Sequence, residues 1–430
     1  MFIEEQPAPA NNPPPAPSLE TGDQQVYEDG SVTLGMFAQS NAGATVAMTI
    51  TFSGIPADWG VNPNGGVYYS VAGTVTYTLG AGETTFSGGP TLSPPANSDI
   101  DIPVVTITVL NTDTATGLTS TGTGSFSVTT DAVADVPNLN ANDATGLEDS
   151  PVDLDISTSV NDADGSEAIT TVFITGVPGG FSLSAGTDLG GGTWQLAQGD
   201  LAGLQISAPA DYFGTITLGV SSTAEETNKT DTDFDLTNDT ATATDTFNVT
   251  WKPVADTPEI CVRQEGDDFY VKEDGSIDVP LVTTLNAVDS PDAFLTVTVT
   301  GIDPSWGFSA PIGTYDSGTG TWSVTLPAGT NLSTLLTFTP PAQSDIDLND
   351  LIITAVATEP ETGTTATATD SFNIIVDAVA DVPNIDANNS FGDEGDVLNV
   401  NISGSLGADT DGSETITGYQ VSGVQDGFTF

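Results

Sequence analysis

The sequence predicts an all-β protein built as a tandem array of about seven-stranded β-sandwiches. Three observations carry this. Short apolar runs alternate with Thr or Ser and are broken by Gly, Pro, Asp and Asn, the pattern of half-buried strands. Helical periodicity is nearly absent; Leu326–Leu336 is expected to be at most a turn. Finally, two independent markers recur in phase at about 120-residue intervals. A length of 430 residues agrees with roughly three or four such domains.

Residues 1–17 come first and read as a linker. Pro7, Pro9, Pro13, Pro14, Pro15 and Pro17 favour an extended polyproline II segment with little to bury. The repeat begins after it. The phrase Asp131-Ala-Val-Ala-Asp135-Val-Pro137 returns as Asp377-Ala-Val-Ala-Asp381-Val-Pro383, with Lys252-Pro-Val-Ala-Asp256-Thr-Pro258 between them. An acidic doublet keeps the same beat at Glu28-Asp29, Glu148-Asp149 and Glu273-Asp274, and in permuted form at Asp393-Glu394. The units are therefore residues 18–135, 136–256 and 257–381, with an incomplete fourth from 382 to 430. That fourth unit holds under half a repeat, so the chain is expected to be a piece of something longer. In the second unit, strands are expected at Val152–Ile156, Ile169–Thr175, Thr193–Leu196, Leu204–Ser207, Gly214–Val220 and Asp245–Val249, with Pro137–Leu139 as a further first strand. Seven short antiparallel strands in such a length favour a sandwich over a barrel.

Composition excludes several functions. The chain has 59 acidic and 4 basic residues, no histidine and a formal net charge of −55. Nucleic acid is no partner for it, because phosphate binding needs Lys and Arg to release counterions. An anionic membrane surface repels it in the same way, and no stretch approaches 18 apolar residues, so no membrane insertion is expected. Histidine-dependent catalysis and imidazole metal sites have no ligand to use. The single cysteine, Cys261, reads as an incidental thiol, and the N-terminus shows no cleavable Sec leader. Hydrophobic content of 37% is too high for a disordered polyacid. The chain is expected to fold and to contend with strong self-repulsion.

The acids avoid the strands and gather at turns. Laid over a seven-strand sandwich, unit 1 places Glu28 and Asp29 in the A–B loop, Asp99 and Asp101 in the E–F loop, and Asp131 and Asp135 in the exit linker, all at one pole. The facing pole of unit 2 adds Asp162 and Asp164 from the B–C loop and Glu225 from the F–G loop. The same positions at the second junction are Glu148, Asp149, Asp211 and Asp256, with Asp289, Asp292 and Glu359 from unit 3. At the third they are Glu273, Asp274, Asp345, Asp347, Asp377 and Asp381, with Asp409 and Asp411 from the fourth unit. So many carboxylates repel unless a cation sits among them. Calcium accepts six to eight oxygens in flexible geometry, whereas magnesium demands a stricter octahedron, so Ca2+ is the expected ion.

At this point the sequence resembles a known pattern. Glu in the A–B loop, an acidic E–F loop, an Asp-rich linker ending in Pro and Asp-x-Asp in the B–C loop look like the calcium junctions of cadherin domains. Asn161-Asp-Ala-Asp-Gly-Ser-Glu167, Gly176-Val-Pro-Gly-Gly-Phe-Ser-Leu-Ser184 and Gly192-Thr-Trp-Gln-Leu196 resemble the repeats of giant bacterial RTX adhesins. The resemblance covers residues 18–430. It implies Ig-like or cadherin-like sandwiches in a secreted, type I-exported protein of the bacterial cell surface, active in cell adhesion and biofilm formation. It implies neighbouring repeats of the same chain as partners, and glycans or proteins bound through modules outside this fragment. Two departures stand out. Gln39, Ser40 and Asn41 replace Asp-x-Asp in unit 1, so no calcium site is expected at that pole. Lys252 replaces Asp131 and Asp377, and its ammonium is expected to neutralise Glu148 or Asp149 itself, leaving fewer ions at the second junction.

The resulting expectation is a non-enzymatic, calcium-stiffened extender of a surface adhesin. The rivals are a sandwich that itself grips a glycan or protein, an accessory region of an extracellular hydrolase, and an acidic surface-layer protein of a halophile. Lys229–Asn238 is the visible insertion that would favour the first rival. Trp59, Trp194, Trp306 and Trp322 recur at strand or turn positions and read as core packing rather than a sugar platform. With 59 carboxylates, any catalytic pair is uninformative.

Overall fold

The computed structural model describes residues 12–162, 165–227, 235, 237–262, 268–285, 293–327, 329–407 and 412–429. Asp164, Asp289, Asp292, Asp409, Asp411 and most of the Lys229–Asn238 insertion lie outside the described residues. The fold is all-β, as the sequence predicts. No described helix is long and apolar enough to cross a membrane.

The chain divides into two compact units. One comprises Met1–Gly146, Pro151–Ala208 and Thr215–Thr250; the other comprises Leu147–Ser150, Pro209–Gly214 and Trp251–Phe430. In the first, a six-stranded sheet runs in the order Gln24–Tyr27, Thr119–Asp131, Ile102–Asp113, Val46–Ser53, Thr74–Leu79 and Val67–Tyr69. Two three-stranded sheets complete that sandwich: Ser18–Glu20, Phe37–Gln39 and Thr85–Ser87; and Val32–Thr33, Thr91–Ser93 and Gly60–Asn62. Val46–Ser53 shows why the sequence folds this way. Val46, Met48, Ile50 and Phe52 are buried while the intervening residues are not, so period two gives one core face. Leu34, Met36, Ala38 and Leu92 meet them, with Val105, Ile107 and Val109. The edge strand Gln24–Tyr27 runs parallel to Thr119–Asp131, pairing Tyr27 with Asp131. That pairing delivers Glu28-Asp29 beside the point where the chain leaves the sandwich.

A second six-stranded sheet repeats the order with Ala144–Leu147, Thr240–Lys252, Gly214–Glu226, Glu167–Thr175, Thr193–Leu196 and Thr187–Gly190. Sequence reading misses Ala144–Leu147, Ser182–Leu183 and Thr187–Gly190, which are short, and shortens the long F and G strands. Here Ser and Thr continue the alternation past the last large apolar residue.

The other unit carries a third six-stranded sheet: Asp268–Lys272, Thr364–Asp377, Leu348–Glu359, Phe294–Thr300, Thr321–Pro327 and Thr314–Asp316. It shares a core with Glu259–Val262, Ile277–Thr284, Leu332–Thr339 and Gly307–Ser309, through Val279, Leu281, Leu336 and Phe338 against Val297, Ile353 and Phe372. Asp268–Lys272 again pairs in parallel, bringing Lys272 to Asp377. The Leu326–Leu336 stretch is no more than a turn, as expected: one strand closes at Pro327, the Thr330 N–H returns to the Pro327 carbonyl at 3.2 Å, and another strand opens at Leu332. Among the described residues, 382–430 contribute one two-stranded ladder, Asn384–Ala387 with Ile402–Ser405.

Trp59, Trp306 and Trp322 are buried, and Trp322 donates its indole N–H to the Ile312 carbonyl at 3.0 Å. Trp194 is only half-buried. The expected linker is partly docked. Pro14 and Pro17 are buried, and the Pro15 carbonyl accepts from Asn111 Nδ2 at 3.0 Å and Ser120 Oγ at 2.9 Å. Asn111 Nδ2 also reaches the buried Ser40 at 2.9 Å. The pole that lacks Asp-x-Asp is thus filled by neutral hydrogen-bonding groups.

Candidate cation centres

One turn arrangement occurs three times. Asp29, Asp149 and Asp274 each take a left-handed backbone (φ 53°, 58° and 58°), as do Asn97, Asp211 and Gln343 in the E–F turns (φ 52°, 57° and 57°). Asp and Asn tolerate this region better than most residues because their short polar side chains bond locally. The second turn donates its backbone N–H to the first: Asn97 to Asp29 Oδ1 at 3.3 Å, Asp211 to Asp149 Oδ1 at 3.0 Å, and Gln343 to Asp274 Oδ1 at 3.2 Å. The glutamate of each doublet is fixed at both ends. Its N–H donates to the last strand's carbonyl, in the pairs Glu28–Asp131, Glu148–Lys252 and Glu273–Asp377. Its carboxylate accepts a linker N–H, from Val133 (2.7 Å), Val254 and Val379 respectively. Each glutamate is buried: Glu28 is 4% exposed, Glu148 2% and Glu273 7%.

At the first centre the linker and the next sandwich close on this frame. The Asp135 N–H donates to Glu167 Oε1, and Ala134 N–H to the Asn238 carbonyl at 2.9 Å. Asn97 Nδ2 donates to Asp135 Oδ2 and to the Asn161 carbonyl at 3.1 Å. Glu226 is buried beside Glu167 and Ser166. Burial without compensating positive charge raises these carboxyls. Glu28 is pushed up to about 8, mainly by desolvation, opposed by the Val133 N–H and reinforced by the charges of Glu226, Asp29 and Asp135. Glu226 rises to about 7, again mainly through burial, with Glu167 and Asp162 repelling its charge. Glu167 and Asp135 are raised for the same primary reason.

At the second centre, single carboxylate oxygens of Asp149, Asp211 and Asp256 lie within 4.8 Å of one another. Burial raises Glu148 too, held down by the Val254 N–H and pushed further by the charges of Asp149, Asp256 and Asp211. Its Oε2 is buried with no hydrogen-bond donor. At the third turn, Gln343 Nε2 donates to Asp274 Oδ2 at 2.8 Å, and the Asp381 N–H to Glu414 Oε1.

The other residues singled out from sequence fall in several settings. Asp101 and Asp347 turn back into their own sandwiches, accepting the N–H of Thr130 (2.7 Å) and Val376 (2.8 Å). Asp162 Oδ2 is taken by the Gly165 and Glu167 N–H groups at 2.7 and 3.1 Å. Asp99 and Asp345 are half-buried in the E–F turns, and Asp377 is exposed. Asp131 is buried and accepts from Asn238 Nδ2 at 3.4 Å. On the F strand it is Glu226, not Glu225, that takes the fully buried position, because successive strand residues face opposite sides. Glu359 holds a similarly buried end-of-strand place. Lys252 is corrected as well. Its carbonyl stands where those of Asp131 and Asp377 do, but its ammonium makes no ion pair among the described residues. Trp251 takes the core-facing position and the next side chain points the other way. Glu167, Glu226 and Glu414 were missed; the Gly-Ser-Glu shared by 165–167 and 412–414 was the available signal for two of them.

The donor set is oxygen alone. Carboxylates and nearby carbonyls suit a hard cation such as calcium and offer nothing to thiolate or imidazole metals. A 4.8 Å spread of oxygens is within what two calcium–oxygen bonds of about 2.3–2.6 Å can bridge.

No family model matches the chain, and no curated protein matches it. Among solved structures it is similar to Drosophila N-cadherin EC1-4, at 10% identity over 86% of this chain and 76% of that chain, with a TM-score of 0.27. It is similar to Sidekick-1 immunoglobulin domains 1-5 at 11% identity, over 85% of this chain and 60% of that one, with a TM-score of 0.23. The I9-I11 tandem of titin matches at 10% identity over 84% of this chain and all of that one, with a TM-score of 0.18. No residue role is carried over from these likenesses.

Proposed function

We propose that this chain is a calcium-stiffened extender segment of a bacterial cell-surface adhesin, a non-enzymatic spacer that carries a binding module elsewhere in the protein. The observation that carries the reading is the recurrence of one acidic frame: a buried glutamate, a left-handed aspartate and a linker aspartate, at Glu28/Asp29/Asp135, Glu148/Asp149/Asp256 and Glu273/Asp274/Asp381. Each frame draws on a turn inside a sandwich and on the segment that leaves it. Ions held by such a frame would tie the exit segment to the turn, whereas bare carboxylates would push it away. Glu28, Asp29, Asp135, Glu167 and Glu226 would hold calcium at the first centre, and Glu148, Asp149, Asp211 and Asp256 at the second. Small-angle scattering tests the reading. Calcium should give a stiffer, more extended particle than chelator does, with the sandwiches folded in both. Identical profiles would overturn it.

A further inference from the structure

We propose that the entry pole of the first sandwich is a clasp for a polyproline segment, filled by residues 13–17 of the same chain, which couples the incoming chain to the sandwich without a cation. Its contacts are made by neutral groups, at the pole where Gln39, Ser40 and Asn41 stand.

Polyproline II has three residues per turn and no internal hydrogen bonds, so every third side chain shares a face and the carbonyls are free to accept. Pro14 and Pro17 are buried while Pro13, Pro15 and Ala16 are exposed, so one face of the segment lies on the sandwich. The Pro15 carbonyl accepts from Asn111 Nδ2 at 3.0 Å and from Ser120 Oγ at 2.9 Å. These two donors are cross-strand partners on Ile102–Asp113 and Thr119–Asp131. Gly122, next along that face, leaves the space that Pro17 fills. A Cβ there would come within 2.8 Å of the Pro17 carbonyl oxygen and 2.7 Å of Leu19 Cδ1.

The other sandwiches supply the contrast. Asn111 follows Val105 at the interval that separates Ala224 from Leu218 and Ala357 from Leu351, and all six are buried. In the third sandwich the pair Asn111–Ser120 becomes Ala357–Ala366, and Gly122, opposite Val109, becomes Ala368, opposite Ala355. That sandwich has neither the donors nor the gap. Burying an amide is unfavourable unless it is hydrogen-bonded. Asn111 is 0% exposed, and its Oδ1 accepts no hydrogen bond among the described residues. Its place is explained by the donor side, which holds Pro15 and the buried Ser40, the latter at 2.9 Å. A proline segment is extended before it docks, so holding it loses little chain entropy.

Spin labelling of the whole chain tests the proposal, with Ala16→Cys carrying a nitroxide and Cys261→Ser removing the exposed native thiol. Ala16 is exposed, so the label does not compete for the clasp. Its line shape reports nanosecond motion, the range of loose loops and termini. In chelator the spectrum should be motionally restricted, and calcium should leave it unchanged. Asn111→Ala and Gly122→Ala, which install the third sandwich's own residues, should each abolish the restricted component while circular dichroism stays the same. If one variant fails to fold, the other decides. A label that is mobile with residues 111 and 122 intact, or restricted only by calcium, would overturn the clasp. Restriction that survives the substitutions would overturn it too, since neither the Asn111 donor nor the Gly122 gap would then be holding the segment.

Discussion

The backbone N–H of Asp211 donates to Oδ1 of Asp149 at 3.0 Å, locking two turns of one sandwich so that their carboxylates stand side by side. The bond between main chain and side chain fixes geometry but leaves the like charges unrelieved. At an effective dielectric of about 20, two unit charges 4 Å apart repel by about 4 kcal/mol. The arrangement is therefore poised to gain from a cation.

Calcium should raise the melting temperature, and sodium at matched ionic strength should do so much less. A ligand specific to the native state adds about 2.7 kcal/mol at a hundredfold excess over Kd, whereas screening acts on all surface charges alike. Differential scanning calorimetry in the two salts decides this. Equal stabilisation would point to general acidity, as in a halophile's surface protein.

Without calcium, stability should fall as pH rises. Glu28 goes from an ordinary 4.5 to about 8 in the fold, and Glu226 from 4.5 to about 7. A raised carboxyl means that the native state binds more protons than the unfolded one between those values. The stabilisation from protonated Glu28 and Glu226 is thus complete below about pH 4.5 and is lost towards pH 7–8. Saturating calcium should flatten or reverse the trend. A chelated chain that melts higher at pH 8 than at pH 5 would contradict the account.

Glu28→Gln should have opposite effects in the two conditions. The amide oxygen can still accept the Val133 N–H, now bonded at 2.7 Å, while the buried charge is gone. Melting should move up in chelator, and calcium affinity at the first centre should drop by ~10-fold or more. A shift of the same sign in both would assign Glu28 a packing role alone.

Phe338→Ala is the contrasting case. Phe338 is fully buried between Phe308 and Phe372, and truncating such a ring costs about 3–5 kcal/mol. Chemical denaturation should show that loss with and without calcium, because the ring stabilises the core and not the acidic turns.

Much of this was legible from residue order. Alternation along Val46–Ser53 and the recurring linker phrase are enough for tandem sandwiches, because a strand's period is two and a repeat's markers stay in phase. The acidic doublets were legible as turns. What sequence could not settle was direction. Glu225 and Glu226 differ by one residue and hence by a whole face. Asp101 and Asp347 share their loops with Asp99 and Asp345, yet spend an oxygen on their own strand ends. Lys252 sits at the right position in the backbone, with its ammonium in no ion pair with the acids it was expected to neutralise. Such outcomes depend on where neighbouring strands place their N–H groups, which spacing alone does not encode.

The most direct test of the central claim is a crystal structure of the chain grown in calcium, with anomalous scattering used to locate the ions. The account predicts an ion bound by Asp149, Asp211 and Asp256, with oxygen distances of about 2.3–2.6 Å, and a second group of ions against Glu28, Asp135 and Glu167. Anomalous maps without calcium at either place, with the carboxylates facing water, would contradict it.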